Sequence, residues 1–570
     1  MFFSRGKLLT LLFVGFFFVG YGQLKYFDNP LKIPASLSGN FGELRPNHFH
    51  TGIDLRTQQK TGLPVFSSAE GFVSRIVISP NGYGKALYVE HSNSTTTLYG
   101  HLERFRDDIE AYVRSEQYKR QSYAIDIEIP PGKFKVARQE QIAFSGNSGS
   151  SGGPHLHFEI RDTKTQDALN PLLLNNFNLK DKTAPKIVAV ELCPLSKESN
   201  VELTARKKSV PVKPAGSTYQ LNPPGSIRAY GKIGIAVKAS DYFDANTSPC
   251  GVYSAQLLLN GEKVYGYTFS RIPFDQNRYL NSHIDYETFV KSGSRYQKLW
   301  RDPGNRFYLY ETNRSGGVLD VDSGKVYECE IILSDVMGNK SKLDFKISGK
   351  YIKLPMPSEK KENLFNYDSR NKKETDDFEL NAPPGAFYKD FYFRYSTSEK
   401  IPGFYSRIHR VHSNTTPIHK PVKISIKTDN FPIRLADKAV IVSVDAQGKK
   451  TYVGGTLSGE WITANIMQFG NFGVTCDTIP PSITSLGIKN KTLTEPNRIR
   501  FRITDNLSGI MSYKGLIDDE WALFEYDQKS ATLVYTIDKE RLTLNQLHSL
   551  ELTVTDKAGN SAVYKASFRK

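Results

Sequence analysis

The stretch His155 to Ile160 alternates strictly, with His155, His157 and Glu159 on one set of positions and Leu156, Phe158 and Ile160 on the other. A strand turns successive side chains to opposite faces. The pattern therefore sends three apolar residues into a core and two imidazoles plus a carboxylate into one cleft. Short alternating runs also occur at Phe72 to Ile78 and Ala86 to Glu90, with Asn81-Gly82 between them as a hairpin signal. Tyr (31) and Phe (34) are plentiful and Met (5) is scarce, a balance that favours strands. The predicted fold is mainly β. One stretch differs: Leu102 to Tyr118 carries Phe105, Ile109 and Val113 at helical spacing and reads as a helical insertion.

At 570 residues the chain is too long for one ordinary domain, and about 150 residues per domain suggests about four. With 39% hydrophobic residues it can bury real cores. A histidine-rich block at 23–180 comes first. An internal repeat follows: D-x-x-x-P-x-I begins at Asp181 and again at Asp477. Each copy later has a strand ending in Asp (Asp241, Asp505) and closes on D-x-x-G-N (Asp335 to Asn339, Asp556 to Asn560). Turn chemistry between alternating runs predicts two immunoglobulin-like β-sandwiches, at 181–352 and 477–570. The polar stretch Ser358 to Asp377 reads as a linker or exposed loop, and 353–476 as a further β module.

Residues 1–22 read as a signal peptide: Arg5 and Lys7 precede the apolar run Leu8 to Val19, and Gly20 and Gly22 allow cleavage before Gln23. A spanning helix needs about 20 apolar residues, so an anchor is not expected, and no later stretch spans. The chain is expected in the periplasm, in the cell envelope or secreted. Its net charge of +16 is spread out, without the basic-aromatic stripe of nucleic-acid binders, and suits anionic envelope polymers. Four cysteines (Cys193, Cys250, Cys329, Cys476) are too few for a disulfide scaffold.

Three segments carry candidate chemistry: His50-x-x-x-Asp54, Tyr99-Gly-His101-Leu, and Gly153-Pro-His155-Leu-His157-Phe-Glu159. An imidazole nitrogen plus a carboxylate oxygen suits Zn²⁺, and zinc catalysis needs three protein ligands and an open position. His50, Asp54 and one histidine of the H-x-H pair supply the three. The other histidine and His101 remain as proton carriers or oxyanion donors. There is no H-E-x-x-H and no P-loop. Gly149 to Gly153 fits G-x-S-x-G as a string, but Pro154 and a strand follow where a nucleophile elbow needs a helix.

Together these motifs resemble the lysostaphin-type (LytM-like) zinc endopeptidases, over about residues 40 to 175. The resemblance implies a compact antiparallel β domain with its site in a groove, and hydrolysis of peptide bonds in bacterial peptidoglycan. It implies His50, Asp54 and His157 as zinc ligands and His101 and His155 as the catalytic histidines. Two departures from the family stand out. The helical insertion lengthens the path to the H-x-H strand and is expected to wall or lid the groove. The short stretch before His50 leaves no room for a large pro-domain. Glu159 reads as either a support for a ligand histidine or a surface carboxylate. His48 and His91 are outside the pattern, and His91 reads as structural. The expected partner is peptidoglycan, with no nucleic acid, and an envelope protein contacted through the β modules. The rival reading is a non-catalytic envelope scaffold, activator or adhesin that retains the peptidase fold.

Overall fold

The computed structural model describes residues 26–569 except 176, 245–247, 356–362, 490, 494, 496 and 544. The predicted signal peptide lies outside the described residues. Strands hold 49% of the residues and helices 8%, so the protein is mainly β. Among the described residues no helix is long and apolar enough to cross a membrane.

The N-terminal sheet runs in the order Leu37–Gly39, Ile53–Arg56, His155–Asp162, Thr95–Phe105, Lys85–Glu90, Gly71–Ile78, Lys135–Val136. All neighbours are antiparallel. Gly71–Ile78 and Lys85–Glu90 form the hairpin signalled by Asn81-Gly82, and Gly82 takes the left-handed φ of 56°. Leu156, Phe158 and Ile160 are fully buried among Ile53, Leu55, Val73 and Leu87, so the opposite face of their strand is free to build a site.

The helix begins later than the periodicity predicts, at Asp107, and runs to Arg120. Leu102 and Phe105 still belong to the strand, where they pair with Ser145 and Ala143. Three acidic residues in the first turn and Lys119 and Arg120 in the last suit the helix dipole. Ile109 and Val113 enter the domain core. The outer face meets the C-terminal module instead of the groove: Arg114 pairs with Asp538 at 3.0 Å, and Tyr118 meets Trp521 edge-on at 5.1 Å. The helix therefore docks a neighbour and does not lid the groove, as the sequence suggested it would.

Residues 477–569 fold as a four-stranded and a six-stranded sheet enclosing Ile499, Phe501, Leu533, Leu552 and Val554. Two five-stranded sheets enclose the core of the middle module. The first module differs from the expected two separate sheets. The 15-residue strand Ser226–Ser240 pairs with Lys186–Pro194 at one end and, in parallel, with Lys340–Gly349 at the other. Gly231, at φ 79°, lies between these two pairings. One long strand thus joins both layers into a single network. The polar stretch read as a linker lies partly outside the described residues, at 358–362, and its described part holds a strand, Asn371–Glu374, paired with Phe378–Ala382. All four cysteines are free thiols.

Hydrogen bonding crosses the position where the first two domains were expected to part. Ala168–Leu169 pairs with Arg271–Ile272, and Phe41 and Phe49 are buried in the core of the first module. Phe49 stacks on Phe307 with ring centroids 5.1 Å apart. The segment that leads into His50 is therefore clamped by the neighbouring module.

Candidate active site

The sheet register brings the motifs together. Asp54 lies directly across from His157 on one side, and Gly100, next to His101, lies across from it on the other. His50 Nε2, Asp54 Oδ1 and His157 Nδ1 converge: His50 to Asp54 is 3.1 Å, His157 to Asp54 3.0 Å and His50 to His157 3.1 Å. All three residues are buried.

Their outer atoms explain why the inner ones are free to coordinate. His50 Nδ1 donates to the Asn40 carbonyl at 2.8 Å, which leaves a lone pair on Nε2. His157 Nε2 donates to Glu159 Oε1 at 2.8 Å, which leaves a lone pair on Nδ1. Arg45 donates to the other Asp54 oxygen at 2.7 Å and fixes the carboxylate. Three electron-rich atoms thus face one point. Such a set demands a positive charge: burial opposes a charged imidazole, but hydrogen bonds to Asp54 and Glu159 still draw His157 up to about 9. Two imidazoles and one carboxylate are a donor set that fits Zn²⁺.

Glu159 resolves in favour of support. It is fully buried, and its Oε1 accepts from Thr51 (2.7 Å), Tyr83 (2.7 Å) and His157, while Oε2 accepts from Arg161 Nε at 2.7 Å. Burial alone would raise its pKa, but the Arg161 guanidinium holds it well below the usual carboxylate range.

His101 and His155 stand beside this cluster, with ring centroids 4.7 Å apart. His101 Nδ1 donates to the Ser148 carbonyl and His155 Nδ1 to the Gly153 carbonyl, each at 2.8 Å. Both rings therefore keep Nε2 as an acceptor. His155 Nε2 lies 3.4 Å from Asp54 Oδ1. Burial, then the neighbouring imidazoles, push His101 down to about 3, so it is a neutral base at ordinary pH. His101 has φ 58°, a left-handed conformation rare for a non-glycine residue, in a strand whose pairing slips at this point. A bulge of this kind re-aims a side chain. A cleft of about 710 Å³ opens over Asp54 and His155, bordered by Arg45, Arg56, Gln58 and Gly153.

Gly52 permits the close approach. A Cβ there would lie 2.5 Å from the Phe158 carbonyl and 2.8 Å from Glu159 Cγ. Gly52→Ala is expected to cost about 1–3 kcal/mol through overpacking and to displace Glu159 and His157. Urea denaturation and zinc titration of the variant check both effects.

The other histidines stay apart. His48 is exposed and bonds the Pro46 carbonyl at 2.9 Å. His91 is buried between the Glu70 carbonyl and Thr97, a structural tie. Sequence reading missed Arg45, Tyr83 and Arg161. Arg161 carried a signal, because it continues the polar face of His155, His157 and Glu159 by one more step of two. Lys529, from the C-terminal module, donates to the carbonyls of Asn147 and Ser151 in the loop before His155.

Residues 48–118 match Peptidase family M23, and residues 362–477 match the Zu5-like domain. An uncharacterized metalloprotease of Haemophilus influenzae is 30% identical over 163 residues, 27% of each chain. The DD-carboxypeptidase/endopeptidase Mpg of Neisseria meningitidis is 36% identical over 112 residues, 20% of each chain. The match thus spans about a quarter or less of these relatives. Among solved structures, the catalytic domain of the prophage-encoded M23 protein EnpA from Enterococcus faecalis is 26% identical. It aligns over 25% of this chain and 95% of its own, with a TM-score of 0.19. By the sequence match and the relatives that share it, the N-terminal domain of this chain is similar to the M23 peptidases.

Proposed function

We propose that the chain is an exported zinc metalloendopeptidase that hydrolyses peptide bonds in bacterial peptidoglycan. The observation that carries this reading is the convergence of His50, Asp54 and His157 beside two histidines that present bare Nε2 atoms. His50, Asp54 and His157 would hold the metal. Bound zinc lowers the pKa of its water to about 7 and polarises a carbonyl. His101, neutral and held by Ser148, accepts the proton of the attacking water at Nε2. His155, held by Gly153 through Nδ1, would take a second proton from solvent at Nε2 and, as an imidazolium, donate that N–H to the developing oxyanion. Glu159 keeps the His157 tautomer, and Arg45 keeps Asp54 in place. Relatives described as peptidoglycan DD-endopeptidases or as a DD-carboxypeptidase/endopeptidase support the substrate class. Export, and a place in the periplasm or envelope, follow from the leader-like N-terminal sequence. The β modules then serve as contacts to an envelope partner.

A scaffold that had lost its chemistry would not need three lone pairs aimed at one point. Incubating purified peptidoglycan with metal-depleted chain, with and without added ZnCl₂, tests the reading. New peptide fragments that depend on zinc are expected. No fragments from any cross-linked peptidoglycan, with zinc bound, would leave the scaffold reading standing.

A further inference from the structure

Each copy of the sequence repeat gathers three aspartates, and the first copy does so in a way that asks for a ligand. Asp181 comes from D-x-x-x-P, Asp241 from the strand end and Asp335 from D-x-x-G-N. One carboxylate oxygen from each lies within 4.8 Å of the other two. Asn339 holds Asp335 through its backbone N–H (2.9 Å) and its side-chain amide (2.7 Å), and the same amide donates to the Asp181 carbonyl at 3.2 Å. Asp181 Oδ1 accepts from the Thr183 N–H at 2.9 Å. Two buried oxygens are orphaned. Asp241 is 1% exposed, yet its Oδ1 has no donor, and neither does the buried Oδ2 of Asp181.

A buried carboxylate oxygen without a donor is costly, and three carboxylates this close repel one another. Burial, then repulsion from Asp335 and from the neighbouring Asp244, pushes Asp181 up to about 6; burial, then Asp335 and Asp181, pushes Asp241 up to about 7. Among the described residues, no lysine or arginine forms an ion pair with any of the three. The donors are all hard oxygens, unlike the histidine-containing set at His50, and hard oxygens suit calcium.

We propose that Asp181, Asp241 and Asp335 bind one divalent cation of the calcium class, at the junction between the first β module and the N-terminal domain. The placement reaches the candidate active site through the backbone. Asp241 and Cys250 exchange both main-chain hydrogen bonds, at 3.0 and 2.8 Å. The next residue, Gly251, exchanges two more with the Asn40 side chain, at 2.8 and 2.7 Å. The Asn40 carbonyl is the acceptor that orients His50. The cation therefore braces the support of a ligand histidine, whether or not the chain is a hydrolase. The second cluster, Asp477, Asp505 and Asp556, repeats the sequence slots and the asparagine bonds through Asn560. Its Asp477 and Asp505 carboxylates already accept from the backbone N–H groups of Ile479, Ser508, Leu507 and Gly509, and the proposal does not extend to it.

The test is calorimetry of the full zinc-loaded chain at pH 7.5 in calcium-depleted buffer and in excess CaCl₂, with retained calcium counted after gel filtration. Calcium at about 100 times its Kd is expected to raise the Tm of the first module by about 5–10 °C. Asp241→Asn is expected to bind one fewer calcium per chain and to lose that shift. Asp54→Ala, assayed without zinc, is expected to keep both. Asp181→Asn, at the more exposed edge, provides the same comparison if Asp241→Asn does not fold. An unchanged Tm in wild type, or equal calcium counts in wild type and the folded cluster variant, overturns the proposal.

Discussion

Replacing Glu159 by alanine is expected to destabilise the N-terminal domain by about 3–5 kcal/mol and to weaken zinc binding by about 10–100-fold. The first effect comes from Arg161. Its guanidinium is nearly buried, and Glu159 is its salt-bridge partner at 2.7 Å. Without Glu159 an uncompensated charge remains inside the protein. The second effect comes from His157, which loses the acceptor that keeps its proton on Nε2 and its lone pair on Nδ1. Glu159→Gln separates the two, because the amide oxygen can still accept from His157 while the charge is gone. It is expected to retain more of the zinc affinity than of the stability. Adding Arg161→Ala to Glu159→Ala removes the orphaned charge and is expected to recover part of the lost stability. Urea denaturation, with zinc affinity measured by competition against a chelator, reads both quantities.

His101→Ala is expected to lower peptidoglycan hydrolysis by about 10²–10⁴-fold while leaving zinc content unchanged. Its Nδ1 is spent on the Ser148 carbonyl, and its ring is 4.7 Å from His155 and 5.8 Å from His157 between centroids. It is thus close enough to act on a water at the cluster without belonging to it. A ligand replacement such as His50→Ala is expected to remove metal and activity together. The contrast between the two variants, measured as fragments released per bound zinc, distinguishes a catalytic histidine from a ligand.

Much of this arrangement was legible in the sequence because it rests on the period of a strand. His155, His157 and Glu159 share a face for the same reason that Leu156, Phe158 and Ile160 share a core. What was not legible depends on other parts of the chain. Arg45 reaches Asp54 from a segment whose path is set by Phe49 in the next module's core and by the Asn40 tie to Gly251. Tyr83 sits in a hairpin turn, with nothing in the local pattern to aim it at Glu159. The late start of the helix at Asp107 reflects tertiary pairing overriding periodicity, since Phe105 suits either a helix face or a strand. The joined sheet of the first module arises because one strand is long enough to serve two layers. The repeat motifs were visible as turn chemistry, but only the folded chain shows that their aspartates meet.

The central claim is that His50, Asp54 and His157 form a zinc centre, and metal content per folded chain tests it most directly. Elemental analysis of protein refolded with equimolar zinc and freed of excess metal is expected to give one tightly held zinc in wild type and in His101→Ala. His50→Ala and Asp54→Ala, folded by circular dichroism, are expected to hold none. A folded wild-type chain that retains no zinc, or a His50→Ala chain that retains as much as wild type, would contradict the account.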